Sequence, residues 1–229
     1  MEYIEIICTV QLNKNLNWKE AQEIIGNNIN YALLKKSRDF HKAPHFKGYS
    51  FSNFYPAQKD GIYKKNNIYM FTINVIKQNY AKHFKRLLQN YSSQDFKVLA
   101  IQESNRYVKN TIEYLFTQTP MVIRLDHNKV WTSGNLNVLV EQLNKKMIKK
   151  YKQFFNEELE CDFIEQIKIL SKSPIILKYK NFHYAGIKVE IVVNKDEQSQ
   201  KLAQLAKITG LGDLNSSLGC GFTESHYFN

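Results

Sequence analysis

Two histidines and a lysine lie close together in a loop that follows the first predicted helix. His41 and His45 flank the residues Lys-Ala-Pro, and Lys47 follows two positions later. Histidines four residues apart can bind a metal on a helix, but Pro44 interrupts that geometry, and few other ligands are near in sequence. We therefore expect no metal site. Imidazole titrates near neutral pH, so a loop histidine beside Lys47 is suited to general acid–base catalysis.

A glycine-rich stretch near the C-terminus is a second candidate for chemistry. Residues 208–222 read ITGLGDLNSSLGCGF and hold four of the nine glycines, Gly210, Gly212, Gly219 and Gly221. The stretch follows a predicted helix and precedes a strand, and it lacks the Lys-Ser/Thr ending of a P-loop, so it matches no nucleotide-binding fingerprint. Its backbone N–H groups, with Asn215, Ser216 and Ser217, are suited to phosphate or ribose oxygens. A tight connection within the fold is the alternative.

The charge of the chain favours a polyanionic partner. Thirty-two Lys and Arg residues outnumber twenty-one Asp and Glu residues, which gives a formal charge of +11. Each cation that meets a phosphate releases counterions, and the cations are mixed with aromatic residues, as in KYKNFHY at 178–184. Nucleic acid is therefore the first candidate partner and an anionic membrane surface the second. A solvated basic surface is the alternative without a partner.

Other classes of protein are disfavoured by the cysteines and by hydropathy. Cys8, Cys161 and Cys220 are odd in number and far apart, which argues against a disulfide framework or a zinc knuckle and fits a reducing cytoplasm. No apolar run approaches the roughly 18 residues of a membrane span, and the N-terminus lacks a basic signal-peptide region. We expect a cytoplasmic protein without a cofactor.

Periodicity predicts a similar set of strands and helices in each half of the chain. The first half has strands at 3–11, 47–55, 68–76, 96–103 and 110–117, with helices at 18–36 and 79–91. The second half has strands at 120–125, 161–170, 174–180, 184–193 and 218–226, with helices at 135–157 and 196–208. This order predicts an α+β protein of two tandem ferredoxin-like (βαββαβ) domains, 1–118 and 119–229, that share an interface and a cleft.

Several of these features together resemble a known family. They are the N-terminal strand, the tyrosine-bearing helix, the loop histidine, the stretch KGYSFS, the terminal GLG…LGCGF loop and the basic-aromatic segment 174–193. On these grounds the chain resembles the endoribonucleases that process CRISPR precursor RNA, within the repeat-associated mysterious protein superfamily. In that family two ferredoxin-like domains form an RNA-binding cleft, and cleavage requires no metal.

The resemblance implies a reaction and the residues that perform it. The ribose 2′-OH attacks the adjacent phosphate with help from a base and an acid, which leaves 2′,3′-cyclic phosphate and 5′-OH ends. Matched by motif, the catalytic residues are Tyr31, His41 and Lys47, with His45 as rival or partner of His41. The resemblance also implies RNA contacts from the glycine loop and nearby lysines, namely Gly210, Gly212, Asn215, Ser216, Ser217, Gly219, Gly221, Lys178, Lys180 and Lys188.

Three alternatives accompany this interpretation. The protein is a non-catalytic RNA-binding subunit of a CRISPR effector complex, or it is a basic module that binds protein or anionic lipid. The apolar stripe of the first helix comprises Trp18, Ala21, Ile25, Ile29 and Ala32, with Leu33 alongside. Tyr31 lies beside this stripe, so core packing is the alternative to a catalytic role. CRISPR repeat RNA is the expected partner, other effector subunits are further candidates, and both a monomer and a homodimer fit the sequence.

Overall fold

The computed structural model describes residues 1–34 (the Leu34 side chain excepted), 46–108, 111–125 and 129–228. Its N-terminal part is an antiparallel sheet covered by helices. The elements in chain order are β1 (Glu2–Leu12), β2 (Leu16–Asn17), α1 (Trp18–Leu34), β3 (Tyr49–Phe51), β4 (Ile62–Tyr63), β5 (Ile68–Val75), α2 (Gln78–Leu88) and β6 (Phe96–Tyr107). The main sheet has the order β3-β5-β1-β6, and β2 pairs with β4.

The C-terminal part repeats this arrangement. Its elements are β7 (Ile112–Thr117), α3 (Leu136–Phe155), β8 (Ile164–Ile169), β9 (Ile175–Tyr179), β10 (Phe182–Gly186), β11 (Val189–Val193), α4 (Glu197–Thr209), α5 (Asn215–Leu218) and β12 (Thr223–Tyr227). The main sheet has the order β12-β7-β11-β8, and β9 and β10 form a separate hairpin. When the four strands of each main sheet are numbered 1 to 4 in chain order, both sheets have the strand order 4-1-3-2 from one edge to the other. All neighbouring strands are antiparallel. The predicted pair of ferredoxin-like domains is confirmed.

The apolar periodicities become the two cores. Ile4, Ile6, Cys8 and Val10 alternate along β1 and face the helices, and α1 buries the predicted stripe at 21, 25, 29, 32 and 33. In the second domain, α3 begins after Asn135, whose side chain accepts a hydrogen bond of 2.9 Å from the backbone N–H two residues later. Such N-caps satisfy donors that the first helical turn leaves unpaired.

The strand β7 lies in a different sheet from the one that the sequence predicts. The sequence pattern assigns 110–117 to the first domain (1–118), whereas β7 pairs with β11 and β12 in the second sheet. The expected opening strand 120–125 instead makes isolated bridges, such as Met121 with Ile187. Local alternation does not reveal which distant strands a segment will join. We therefore propose that the second domain begins between Tyr107 and Ile112.

The domains meet through backbone of the glycine loop, residues 210–221. The Gln22 side chain donates to the carbonyl oxygens of Leu218 and Gly219, at 2.9 and 3.2 Å. The Gly26 backbone lies so close that a Cβ built on it would be 2.1 Å from the Ser217 carbonyl oxygen. Helix α1 can therefore seat against the loop only because position 26 has no side chain.

Gly26→Ala tests this contact. In an exposed helix interior this change gains about 1 kcal/mol, but here the new methyl must displace loop backbone, so we expect a loss of about 1–3 kcal/mol. Urea unfolding followed by circular dichroism measures the difference. Asn27→Ala, at the next and exposed position of α1, is the control. A Gly26→Ala protein as stable as Asn27→Ala would contradict the close packing.

Candidate functional site

A pocket of about 480 Å³ lies where the two domains meet. Its N-terminal wall is the start of the segment that leads into β3, and its C-terminal wall combines α3 with the glycine loop. The lining residues are Phe46, Lys47, Gly48, Tyr49, Arg124, Lys146, Lys149, Lys150, Gln153, Thr209, Asp213, Leu214, Asn215, Ser216 and Ser217. The pocket thus brings together four of the predicted site residues, Lys47, Asn215, Ser216 and Ser217.

The four glycines of the loop are buried and give the loop its shape. All of them have positive φ, from 62° to 79°, a region that residues with a Cβ rarely adopt. A Cβ on Gly219 would lie 2.5 Å from the Phe51 carbonyl oxygen, and one on Gly221 would lie 2.0 Å from that of Leu211. Their backbone therefore packs against protein, and the loop presents Leu214, Ser216 and Ser217 as its partly exposed residues.

Asn215 is engaged inside the loop. Its side-chain nitrogen donates to the carbonyl oxygens of Leu211 and Cys220, at 2.8 and 2.7 Å. Its side-chain oxygen accepts a bond of 2.7 Å from Lys150. Asn215 is only 6% exposed, so its three bonds close the loop on itself. The sequence predicts an RNA contact here, and the structure provides a loop-closing role as well.

Lys150 is a buried cation that the sequence analysis did not single out. Its side chain is 1% exposed, its Nζ donates to the Gly210 carbonyl oxygen at 2.8 Å, and it lies 5.2 Å from the Phe46 ring centroid. Burial lowers the pKa of Lys150 to about 7, although the Asp213 carboxylate acts in the opposite direction. Lysines are frequent in α3, so residue type alone did not distinguish this one.

Asp213 neutralises part of the positive charge of the pocket. Its carboxylate accepts from the Arg124 backbone N–H at 2.8 Å and pairs with the side chains of Lys146 at 3.1 Å and Arg124 at 3.5 Å. Lys47 and Lys149 also line the pocket. Among the described lining residues cations therefore outnumber carboxylates, which suits a phosphate group.

Lys47 is half-buried at the edge of this pocket. Desolvation by the surrounding protein lowers the pKa of Lys47 from its ordinary value. A partly desolvated ammonium interacts more strongly with a nearby anion than one in bulk water does. Its position fits the predicted role of steadying negative charge. His41 and His45, the other loop residues of the predicted site, lie outside the described residues.

Tyr31 lies on another side of helix α1. Gln22 and Gly26 face the glycine loop, whereas Asn28 accepts a bond of 3.0 Å from the Tyr91 hydroxyl. Tyr31 is one turn beyond Asn28 and is 54% exposed. Burial raises the pKa of Tyr91, and the nearby Tyr31 adds to that shift. Tyr31 is therefore not a core residue, and it does not line the pocket that contains Lys47.

The three predicted RNA-contacting lysines divide between two places. Lys178 and Lys180 are exposed on the β9–β10 hairpin, which docks on α1 through a bond of 2.8 Å from the Lys180 backbone N–H to the Glu23 carboxylate. Lys188 lines a second interdomain pocket of about 650 Å³, and burial lowers its pKa.

The second pocket contains aromatic residues that sequence reasoning missed as site residues. Trp18 and Tyr55 line it, and they are 37% and 66% exposed. Its spacing predicts that Trp18 belongs to the apolar stripe of α1. Instead, the Trp18 ring lies against Gly61, and the Trp18 backbone N–H donates to the Gly61 carbonyl oxygen at 2.9 Å where the helix begins. Nothing in the local pattern marked Tyr55 as a surface aromatic.

Two other classes of site find no support within the described ranges. No group of three or more His, Cys, Asp or Glu side chains with metal-binding geometry occurs in 1–34, 46–108, 111–125 or 129–228. Within that same part of the chain, no helix combines the length and apolarity needed to cross a bilayer.

Comparison with known proteins gives a family and a set of similar folds. The family model described as CRISPR associated protein Cas6, C-terminal, matches residues 103–225. No curated protein sequence matches the chain significantly.

Solved structures with a similar fold match nearly the whole chain. A structure described as an RAMP protein binding different RNA substrates has a TM-score of 0.78 at 17% identity, over 97% of this chain and 99% of that one. A CRISPR associated protein Cas6 has a TM-score of 0.74 at 19% identity, over 98% and 99% of the two chains. The product of a Cas6-related gene from Pyrococcus furiosus has 0.70 at 18% identity, over 98% of each. At these identities the likeness shows the shared fold.

The buried Lys150 should make stability depend on pH. The folded protein releases this proton near pH 7, whereas the unfolded chain keeps it to about pH 10.4. Unfolding therefore takes up a proton between these values, and the free energy of unfolding rises with pH across that window. Relative to Lys150→Met, the wild type should gain up to about 1.4 kcal/mol per pH unit.

Urea unfolding between about pH 7.5 and pH 9.5 measures this difference. Lys149→Met, at the adjacent exposed position of α3, is the control and should run parallel to the wild type. If the Lys150→Met protein also runs parallel to the wild type, Lys150 titrates as an ordinary lysine.

Proposed function

The chain belongs to the CRISPR-associated Cas6 family, and from this premise we propose that it is a metal-independent endoribonuclease that cleaves CRISPR repeat RNA. The family match carries the proposal. The cation-rich pocket beside Lys47, which joins the KGYSFS stretch to the glycine loop, supports it from the structure. Structures with the same fold include a Cas6 product complex.

The proposed reaction uses the substrate's own hydroxyl as the nucleophile. A base takes the proton of the ribose 2′-OH, the 2′-oxygen forms a bond to the adjacent phosphorus, and the bond from phosphorus to the 5′-oxygen breaks. An acid gives a proton to that leaving oxygen, so the products are a 2′,3′-cyclic phosphate and a 5′-OH. DNA lacks the 2′-OH, which restricts the reaction to RNA.

The residues enter this reaction in different ways. We propose His41 as the principal acid or base, with His45 as its partner or rival, because positioned imidazoles transfer protons effectively near neutral pH. Lys47 offsets the negative charge that develops on the phosphorane, and its partial burial strengthens that interaction. Tyr31 is included from the family resemblance, since the structure places it outside the lining of the Lys47 pocket.

RNA binding is proposed to extend beyond the pocket. Ser216 and Ser217 supply hydroxyl groups on the exposed side of the glycine loop, and the glycines hold the backbone that carries them. Lys178 and Lys180 contribute phosphate contacts from the hairpin, and Lys188 contributes one from the second interdomain pocket.

The cellular setting is proposed on more general grounds. CRISPR repeat RNA is the partner, and the protein acts as a monomer or a homodimer, alone or with other CRISPR effector subunits. Cys8, Cys161 and Cys220 are free thiols, which supports the reducing cytoplasm as the place of action.

Cleavage of the cognate repeat RNA by single-residue variants tests the catalytic assignment. The wild type should cleave in EDTA and leave 2′,3′-cyclic phosphate and 5′-OH ends. His41→Ala should lower the single-turnover rate constant by about 10²–10⁴-fold, the usual contribution of a positioned histidine. Lys47→Ala should lower it by about 10²–10³-fold because the charge stabilisation is removed. RNA affinity should stay close to that of the wild type.

His226→Ala is the matched control, because His226 is an exposed histidine of β12 that pairs with Glu113 away from both pockets. His45→Ala, measured in parallel, shows whether one or both loop histidines act. A wild-type protein that binds repeat RNA but leaves it intact would support the non-catalytic RNA-binding subunit instead.

The hairpin lysines should contribute through charge. In Lys178→Gln/Lys180→Gln, binding of repeat RNA should weaken similarly for different single-stranded sequences. The slope of log Kd against log salt concentration should fall by about 0.7 for each phosphate that is no longer neutralised, about 1.4 in total. Lys82→Gln/Lys97→Gln removes two exposed lysines of the first domain that line neither pocket. An equal slope in both double variants would mean that the hairpin is not part of the RNA path.

A further inference from the structure

A side chain of helix α3, in the second domain, hydrogen-bonds to the backbone immediately before Lys47. The Gln153 side chain accepts a hydrogen bond of 3.1 Å from the Phe46 backbone N–H. It also donates one of 2.8 Å to the Phe46 carbonyl oxygen. A single amide side chain thus pairs with both polar groups of one residue, as a neighbouring strand would. This two-point contact connects residues 107 positions apart in the chain.

The same helix holds the Phe46 side chain. The Lys150 ammonium, one turn before Gln153, lies 5.2 Å from the Phe46 ring centroid. That ammonium is itself bonded to Gly210 and Asn215 of the glycine loop. An ammonium over an aromatic face is attracted by the ring, more strongly where water is excluded. Phe46 is therefore held at its backbone by Gln153 and at its ring by Lys150.

The backbone immediately after Lys47 is fixed as well. The Gly48 carbonyl oxygen accepts a bond of 3.0 Å from the Ile76 N–H. Gly48 has a φ of 68°, and a Cβ built there would lie 2.8 Å from Ile76 and 3.0 Å from the Phe154 ring. Both neighbours of Lys47 in the chain are thus held: Gly48 by the first domain and α3 together, and Phe46 chiefly by Gln153.

We propose that Gln153 is a positioning residue, which sets the direction of Lys47 by anchoring Phe46 to the second domain. The inference rests on the proposed function, in which Lys47 acts on the scissile phosphate. It differs from a contribution to folding because Gln153 is exposed and its two bonds lie at the pocket rim. Exposed hydrogen bonds add little to the net stability of a fold, whereas a small displacement of a reacting group costs much of the rate.

Gln153→Leu keeps the size of the side chain and removes both bonds. We expect the single-turnover rate constant for repeat RNA cleavage to fall by about tenfold or more, because displacements near 1 Å cost up to about 10²-fold. The Kd for the RNA and the thermal midpoint should stay close to the wild-type values. Hydrogen exchange at the Phe46 amide, measured without RNA, should become faster because its acceptor is gone.

Gln94→Leu, the same change at an exposed position of the first domain that lines neither pocket, is the control. An unchanged cleavage rate in Gln153→Leu would overturn the positioning role, and so would parallel losses of rate, RNA affinity and thermal midpoint. If the wild type itself does not cleave, the proposed function fails, and Phe46 exchange then decides the anchor separately. Unchanged Phe46 exchange in Gln153→Leu would show that the anchor does not hold the segment.

Discussion

Contact between the glycine loop and the first domain, backbone against backbone, is the constraint on which the rest of the structure depends. Gly26 of α1 lies against the Ser217 carbonyl, and Gly219 lies against the Phe51 carbonyl of β3. At such distances neither position can carry a side chain. Backbone polar groups buried by this approach need partners, and Gln22 supplies one by donating to two loop carbonyls. The two ferredoxin-like domains are therefore joined in a specific orientation.

The loop is held from its other side by a buried charge. Lys150 donates to Gly210 and Asn215. Transfer of an ammonium group from water into the protein interior costs free energy unless its N–H donors are hydrogen-bonded. The lowered pKa of Lys150 shows that part of this desolvation cost remains. The same ammonium faces Phe46. This one side chain of α3 therefore contacts both the glycine loop and the segment that carries Lys47. Pocket shape and pocket charge are consequently determined by the same few contacts.

Much of the fold could be predicted from local patterns, because alternation and helical spacing are properties of adjacent residues. The strand at 3–11 is confirmed, and so is the buried stripe of α1 apart from Trp18. The membership of β7 in the second sheet could not be predicted, since it depends on pairing with β11 and β12 far along the chain. Within the site, Lys47 and Ser216 do line one pocket, whereas Gln153 and Lys150 were indistinguishable from other polar residues of a solvated helix.

The sequence by itself determined the two-domain fold class, the cationic character and the family resemblance, because these depend on composition, periodicity and short motifs. The tertiary structure alone decided what the glycines do. Four glycines in fifteen residues were compatible with a ligand-binding loop and with a tight connection, and neither spacing nor composition separates the two. Their positive φ and the absence of space for a Cβ show a loop whose backbone packs against both domains. The sequence could not reveal this, because close packing between segments that are distant in the chain exists only in the folded protein.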